Sequence, residues 1–285
     1  MDKTKIVEIS RLSTLYPTEF LGESDAPESV YAIGNVSLLK NRKFTVVGSR
    51  RTPTNALQLS KTVCSELSHA FTIVTGCADG GDLSAVEGAL QGDKKVVCVL
   101  AGGFGALPQG NLPLLRRVAK EGLLLALHPY DTAVRAFSYE YRNKYLALIG
   151  EGALVIGAGE KSGALITAKR VLQAKKPLFA FPYPPNASVG CGCNRLIKQG
   201  AHLTENAQDI FEKFEIENIN ISKREVSLTP DEERLLFALQ TLVEGHITDL
   251  SEKTGIPVFK ARALLSALEV KGVVVAIGGN RYTPV

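Results

Sequence analysis

Short apolar runs alternate with helix-like segments through most of this chain, and this alternation is the strongest constraint on its fold. The apolar runs are "FTVVGS", "FTIVTG", "KVVCVL", "LLLAL", "ALVIGAG" and "PLFAF", and helical patterns lie between them at residues 53–69, 82–91, 111–121, 140–149 and 163–175. Continuously apolar strands that alternate with helices are typical of a parallel sheet covered on both faces. We therefore predict an α/β fold with a Rossmann-like parallel sheet over residues 41–214.

The residues on either side of the predicted sheet have different patterns. Residues 1–40 suggest short helices and turns and form a short N-terminal segment, whereas residues 215–228 are polar without a clear period and indicate a linker. Thr229 and Glu232 form a capping box that starts the first of three predicted helices, and a Gly-Gly-Asn turn near the end predicts a hairpin. This order predicts a small winged-helix domain over residues 229–285.

Composition limits the class of protein. The 285 residues, 45% of them hydrophobic, are enough for one large α/β domain and a smaller one. No run of about 18 uncharged apolar residues occurs, so we predict neither a signal peptide nor a transmembrane helix, and a cytoplasmic location. The five cysteines are odd in number and partly placed in apolar runs, which indicates reduced thiols, and the "CGC" spacing does not favour a metal site.

The net charge of +4 is too small for a protein that wraps nucleic acid through charge alone. Residues 228–285 are slightly acidic, so the positive excess lies in the preceding part of the chain. A polyanion is therefore expected to bind to that larger part.

Almost every predicted strand ends in glycines and small residues. In open α/β sheets the ligand lies beyond the carboxyl ends of the strands, so we expect these turns to meet at one edge of the sheet. The first of them, "GSRR", offers Gly48, Ser49, Arg50 and Arg51 to an anion, next to a helix start whose free N–H groups favour phosphate. No complete G-x-G-x-x-G pattern occurs, so we predict no bound cofactor.

A second candidate stretch, "FSYEYRNK", combines aromatic and basic residues. Its candidates are Tyr139, Arg142, Asn143 and Lys144, with Arg135 just upstream. Aromatic rings stack on unpaired bases while basic groups bind phosphates, which suits single-stranded nucleic acid. The alternative is that the aromatic side chains fill the core beneath a loop.

Two further stretches begin or form predicted helices. Lys161, Ser162 and Gly163 precede a helix that runs to about residue 174, and a lysine at the positive end of a helix is unfavourable unless an anion compensates. Asn194 and Lys198 lie one helical turn apart in "NRLIK". The alternative in both cases is an ordinary solvated helix.

No catalytic set is recognisable, since the four histidines lie in unrelated contexts and no nucleophile elbow or Walker loop occurs. Asp79 and Asp82 in "TGCADGGD" are the paired carboxylates at the ends of the predicted strands. We expect both to lie in a solvated turn, to cap helices and to keep an ordinary pKa, which makes them poor general bases. The chain is therefore predicted not to be an enzyme.

Taken together, the order of motifs resembles the DNA-processing protein A family (DprA, also called Smf). The motifs are "VVGSRRTPT", "TGCADGGD", "RNK" after an aromatic residue, "SGALITAKR" and "NRLIKQGAHL", followed by the predicted winged helix. The resemblance implies an extended Rossmann fold that binds single-stranded DNA without sequence preference. It also implies a homodimer that helps to load the RecA recombinase during natural transformation.

The same resemblance assigns roles to individual residues. Arg50 matches the family's phosphate-binding arginine, and Tyr139 stands where the family usually has a base-contacting phenylalanine. Arg142, Asn143 and Lys144 match an "RNR" run. Asn194 and Lys198 match the family's "NRLIK" run.

The chain departs from the family pattern in the second glycine loop. Asp79 replaces an arginine found in many members, Gly81 an aliphatic residue, and Glu87 a frequent histidine, so positive charge is lost there. The extra carboxylate leaves an alternative open, namely a Rossmann-like protein that binds or processes nucleotides. A transcriptional regulator acting through the winged helix is a third possibility, against which the acidic tail argues.

Overall fold

The computed structural model describes residues 5–217 and 227–284. The chain divides into two compact units, Met1–Ile219 and Asn220–Val285. Most of the predicted linker, residues 218–226, lies outside the described residues.

The first unit is built on a sheet for which its described residues supply nine strands. In chain order these are β1 (Val7–Ser10), β2 (Ser29–Gly34), β3 (Lys43–Gly48), β4 (Thr72–Thr75), β5 (Val96–Leu100), β6 (Leu123–Ala126), β7 (Ala153–Gly157), β8 (Leu178–Ala180) and β9 (His202–Leu203). Their spatial order is β1-β2-β6-β5-β4-β3-β7-β8-β9. Neighbouring strands from β6 to β9 in this order are parallel, whereas β1 and β2 pair antiparallel.

Helices connect these strands. They are α1 (Thr54–Leu67), α2 (Gly81–Gln91), α3 (Leu112–Glu121), α4 (Ala136–Ile149), α5 (Ala164–Gln173), α6 (Cys191–Lys198) and α7 (Gln208–Lys213). Every residue of β4, β5, β6 and β7 is buried, which requires that both faces of the sheet be covered. The predicted α/β fold with a mostly parallel sheet is therefore confirmed.

The strand order reverses at β3. The chain proceeds outward from β3 through β4 and β5 to β6, and then returns to add β7 on the other side of β3. The loops that follow β3 and β7 leave the sheet in opposite directions, so a crevice opens between them at the carboxyl edge. Sequence motifs placed after these two strands are thereby brought together.

The first forty residues contain more regular structure than the predicted short helices and turns. β1 and β2 extend the main sheet beyond β6. Between them, Tyr16 and Phe20 are buried, and the ring of Phe20 packs edge-on against that of Tyr145 at 4.7 Å between centroids. These two residues belong to the core of the first unit. The short strands are stabilised by antiparallel pairing of β2 with β6 and of β1 with β2, which their local pattern does not show.

The second unit has its own core. Its helices and strands are α8 (Pro230–Leu242), β10 (Gly245–His246), α9 (Ile247–Thr254), α10 (Val258–Val270), β11 (Val274–Gly278) and β12 (Arg281–Pro284). The predicted capping box is present, because the Thr229 side chain accepts the Glu232 N–H and the Glu232 carboxylate accepts the Thr229 N–H. Assignment of this unit to the winged-helix class stays a prediction.

Within the part of the chain that the structure describes, no helix combines the length and apolar character needed to cross a bilayer.

Candidate nucleic-acid interface

A cleft of about 700 Å³ opens at the carboxyl edge of the sheet, where the strand order reverses between β3 and β7. It is lined by the loop after β3, the loop between β7 and α5, the first turns of α4 and the start of α6. Ten of the predicted site residues line it: Gly48, Ser49, Arg50, Arg51, Tyr139, Arg142, Asn143, Lys161, Ser162 and Gly163. The structure thus gathers three of the four predicted stretches around one cavity.

Close backbone contact brings the first two glycine loops together. A Cβ atom on Gly48 would lie 2.8 Å from the Cα atom of Gly81, at the start of α2. A Cβ atom on Gly76 would lie 1.5 Å from Nη1 of Arg142. Glycine is needed at both positions because any larger residue would push the loops apart or displace the arginine.

The side chain of Asp82 connects these loops through hydrogen bonds in the protein interior. Its side chain is buried, Oδ1 accepts the Gly48 N–H at 3.0 Å, and Oδ2 accepts the Ala78 N–H at 3.2 Å. Nη1 of Arg142 lies 3.9 Å from Oδ2 and donates a hydrogen bond to the carbonyl of Val99 at 3.3 Å. The carboxylate therefore connects the ends of β3 and β4 to α4, and Arg142 extends the connection to β5.

The expectation that Asp82 lies in a solvated turn with an ordinary pKa is wrong. Burial raises the pKa of Asp82, while Arg142 and the amides of Gly48 and Ala78 oppose the rise. Burial likewise lowers the pKa of Arg142, and the charge of Asp82 opposes that change. Only Asp79, the other carboxylate of this loop, is exposed as expected.

Three basic residues of the cleft are exposed: Arg50, Arg51 and Lys161. Within the described residues, none of the three forms an ion pair. Their charges are therefore available to an anionic ligand, and the N-termini of α1, α5 and α6, which follow the loops around the cleft, add positive potential.

The aromatic residues of α4 divide between surface and core. Phe137 is 62% exposed and Tyr139 41% exposed. The Tyr139 ring lies near two guanidinium groups, with its centroid 6.0 Å from Cζ of Arg50 and 5.9 Å from Cζ of Arg142. Tyr141 instead is half-buried and stacks on His128, so the core-filling alternative describes Tyr141 but not the other two rings.

Four predicted site residues do not line the cleft: Arg135, Lys144, Asn194 and Lys198. Lys144 pairs with Glu23 and Asp25, and its ammonium group holds the pKa of Asp25 below the usual range. Asn194 forms two hydrogen bonds with the backbone of Tyr183: its Oδ1 accepts the Tyr183 N–H at 3.0 Å, and its Nδ2 donates to the Tyr183 carbonyl at 2.8 Å. Arg135 and Lys198 are exposed at the ends of α4 and α6.

Several residues of the cleft do not figure among the predicted ones. Glu160, Thr167, Ser188, Val189 and Cys191 also line it. Ser188 to Cys191 follow β8, so the rule that ligands lie beyond the carboxyl ends of strands provides a signal for them.

A second cavity, of about 300 Å³, lies beside the first and is lined by the loops after β4 and β5. Arg50 and Tyr139 line both cavities. In the second, Oδ1 of Asp79 accepts a hydrogen bond from Nδ2 of Asn111 at 2.8 Å. Glu87, which the sequence suggests as another acidic residue of this edge, lines neither cavity and pairs with Lys61 at 2.6 Å.

Two of the cysteines that the sequence indicates to be reduced lie next to each other. Cys77 follows β4 and Cys98 lies on the adjacent strand β5, and their Cα atoms are 5.8 Å apart, a separation that a disulfide can span. Cys64, Cys191 and Cys193 are free. Among the residues that the structure describes, no group of three or more His, Cys, Asp and Glu side chains is placed to hold a metal ion.

An open, mostly parallel sheet with a basic crevice at its point of strand reversal defines the class of doubly wound α/β folds, in which that crevice is the usual place for a ligand. Within that class, the chain belongs to the DNA recombination-mediator protein A family, whose sequence model matches residues 8–215. The resemblance to the DprA/Smf family inferred from the motifs is thereby confirmed.

Individual relatives are similar over most of their length. The chain is 33% identical over 220 residues to DNA processing protein DprA of Bacillus subtilis, an overlap of 74% of this chain and 72% of the relative. It is 31% identical over 212 residues to DNA processing protein DprA of Streptococcus pneumoniae, an overlap of 74% of this chain and 75% of the relative. It is 28% identical over 279 residues to Protein Smf of Escherichia coli, an overlap of 94% of this chain and 75% of the relative.

Two solved structures agree with this assignment. The crystal structure of DNA processing protein A from Streptococcus pneumoniae matches with a TM-score of 0.69 and 30% identity, over 73% of this chain and 74% of that one. The second is DNA processing protein A from Helicobacter pylori, whose structure is described for its mode of binding single-stranded DNA. It matches with a TM-score of 0.67 and 26% identity, over 74% of this chain and 95% of that one.

Removing the buried charge of Asp82 is expected to destabilise the first unit. Asp82→Asn leaves the guanidinium of Arg142 buried without its counter-ion, so the free energy of unfolding should fall by about 3 kcal/mol. Urea denaturation followed by circular dichroism measures this change. The control is Asp79→Asn, which alters an exposed carboxylate and should change stability by less than about 0.5 kcal/mol. Equal effects of the two substitutions would contradict the role assigned to Asp82.

Proposed function

We propose that this chain binds single-stranded DNA in the cleft between β3 and β7, largely without regard to base identity. Arg50, Arg51 and Lys161 bind backbone phosphates, assisted by the helix N-termini at the cleft. The exposed ring of Tyr139 stacks on a base. The observation that carries the proposal is the position of this ring among exposed basic residues that lack an ion pair within the described chain.

The aromatic contribution favours single strands over duplex DNA. A base offers its face to a protein ring only when it is not stacked inside a double helix. Tyr139 lies on the first turns of a helix and lines the cleft, so its ring is held next to the phosphate-binding groups. Phosphates alone would bind equally well from a duplex.

Family membership extends the proposal beyond the site. The family is described as a recombination mediator, and the Helicobacter pylori relative by its binding of single-stranded DNA. We propose that this chain likewise acts in DNA processing during natural transformation, as a homodimer that helps to load the RecA recombinase. These partners are proposed from the family and not from a contact surface.

The alternative of a nucleotide-processing enzyme finds less support in the geometry. Both oxygens of Asp82 already accept backbone hydrogen bonds, and the side chain is buried against Arg142. Asp79 is exposed and bonded to Asn111. Neither is arranged as a general base that contacts a bound nucleotide in the first cleft.

Replacing Arg50 is expected to weaken DNA binding by about 1–3 kcal/mol, because charge-assisted hydrogen bonds to phosphate are lost. Fluorescence anisotropy with labelled oligo-dT at fixed salt compares Arg50→Ala with the wild-type chain. Arg117→Ala is the matched control, since Arg117 lies on α3, pairs with Glu121 at 3.1 Å and lines neither cavity. An equal loss in both variants would show that binding depends on overall charge and not on the cleft.

The salt dependence of binding should reflect three phosphate contacts per chain. Each contact contributes about −0.7 to the slope of log affinity against log salt for single strands, so Arg50, Arg51 and Lys161 together give a slope of about −2. Anisotropy titrations over a series of salt concentrations measure it. A slope near zero would remove these three residues from the interface.

No turnover of nucleotides is expected from this chain, because Asp82 is buried and accepts backbone hydrogen bonds, and because Asp79 is an exposed carboxylate that does not line the first cleft. Purified protein is incubated with nucleoside mono- and triphosphates, with and without magnesium, and the products are separated by chromatography. Turnover that disappears in Asp79→Asn would establish the enzymatic alternative.

A further inference from the structure

The second cavity differs chemically from the cleft beside it. Its walls are largely apolar and include Leu100, Leu107, Pro108 and Val134. Its volume of about 300 Å³ is at the lower end of the range for small-ligand sites. The acidic side chain at this cavity, Asp79, is exposed, and within the described residues it forms no ion pair.

These features do not suit a phosphate group. The carboxylate of Asp79 opposes the binding of a phosphate group next to it, and the apolar walls offer a phosphate no hydrogen bonds. Flat aromatic ligands with N–H donors at the edge suit both features, because the walls contact the faces of the ring and the carboxylate accepts from its edge. A nucleobase is such a ligand.

The two cavities are adjacent and share lining residues. Arg50 and Tyr139 line both of them. A nucleotide whose phosphate binds Arg50 in the first cavity therefore has its base within reach of the second. Tyr139 lies at the same boundary and offers its exposed ring to that base or to its neighbour.

Asp79 determines which base fits. An ionised carboxylate only accepts hydrogen bonds. Guanine presents two adjacent donor groups on its pairing edge, N1–H and the N2 amino group, whereas adenine and cytosine place an acceptor beside their amino group and thymine places its single N–H between two carbonyls. Guanine alone gives a carboxylate two hydrogen bonds without an opposed acceptor.

We propose that the second cavity binds one guanine base of the bound strand, with Asp79 accepting hydrogen bonds from N1–H and the N2 amino group. The proposal rests on the proposed function, since it assigns a base preference at one nucleotide of a strand held mainly through its backbone. Asn111 orients the carboxylate, because its Nδ2 donates to Oδ1 at 2.8 Å. Asp79 is thus a residue that determines specificity.

The experiment compares oligonucleotides of one length and charge. The first is oligo-dT, the second contains isolated dG residues that are never adjacent, and the third has deoxyinosine in place of each dG, which removes the N2 amino group. The ratio of their affinities for one protein preparation is independent of the active fraction and of long-range charge effects. The wild-type chain should bind the dG strand about tenfold more tightly than oligo-dT, and deoxyinosine should remove most of this preference.

Two variants identify the residue responsible. Asp79→Asn should reduce the ratio of dG to dT affinity to about one. The side-chain amide has only one acceptor oxygen, and its NH₂ group would face one of the two N–H donors of guanine. Glu87→Gln removes the same charge from α2 outside both cavities and should retain the wild-type ratio. A ratio that survives Asp79→Asn would overturn the proposal.

The outcomes also separate this inference from the function on which it rests. Equal binding of all three oligonucleotides by the wild-type chain would overturn the guanine preference while single-strand binding stands. No binding of any oligonucleotide would overturn the proposed function and the guanine preference together.

Discussion

The buried carboxylate of Asp82 is the interaction on which the geometry of the cleft depends. It accepts amide hydrogens from Gly48 and Ala78, and it faces Arg142, which in turn donates to the carbonyl of Val99. Four segments that are far apart in sequence are thereby held around one buried charge. Because such a charge is tolerated in the interior only when it is paired and hydrogen-bonded, displacement of any one segment is opposed by the cost of leaving the others unpaired.

Basic residues at this edge of the sheet fall into two groups with different roles. The charge of Arg142 is neutralised by Asp82, and that of Lys144 by Asp25 and Glu23. Both basic residues therefore have a structural role. The exposed arginines and lysine that line the cleft have no such partner within the described residues. Unpaired cations that share a cavity repel one another, and a bound polyanion relieves this repulsion. A structural support thus carries exposed charges that a bound polyanion would neutralise.

The sheet and the meeting of its loops are predictable from sequence, because continuous apolar runs identify buried parallel strands and their carboxyl ends share one edge. Pairing of charges is not predictable in the same way. Lys144 looks like a nucleic-acid contact in its local stretch, but its partner Asp25 lies 119 positions away in the chain. Asp82 looks like a solvated residue of a glycine-rich turn until Arg142 is placed beside it. The strands β1 and β2 are missed for a related reason, since β2 is stabilised by pairing with β6 and β1 by pairing with β2, and not by their own sequence patterns.

Within the described residues, the main sheet ends in very short strands on both sides. β1 has four residues and β9 has two. Unpaired backbone groups along an edge strand are what allow a sheet to continue into another molecule, and here so few are present that a second copy has little to pair with. The proposed homodimer would therefore form through side chains on helix and loop surfaces. The mutual orientation of its two proposed DNA-binding clefts would then depend on the shape of those surfaces, which can change by single substitutions without any change to the sheet.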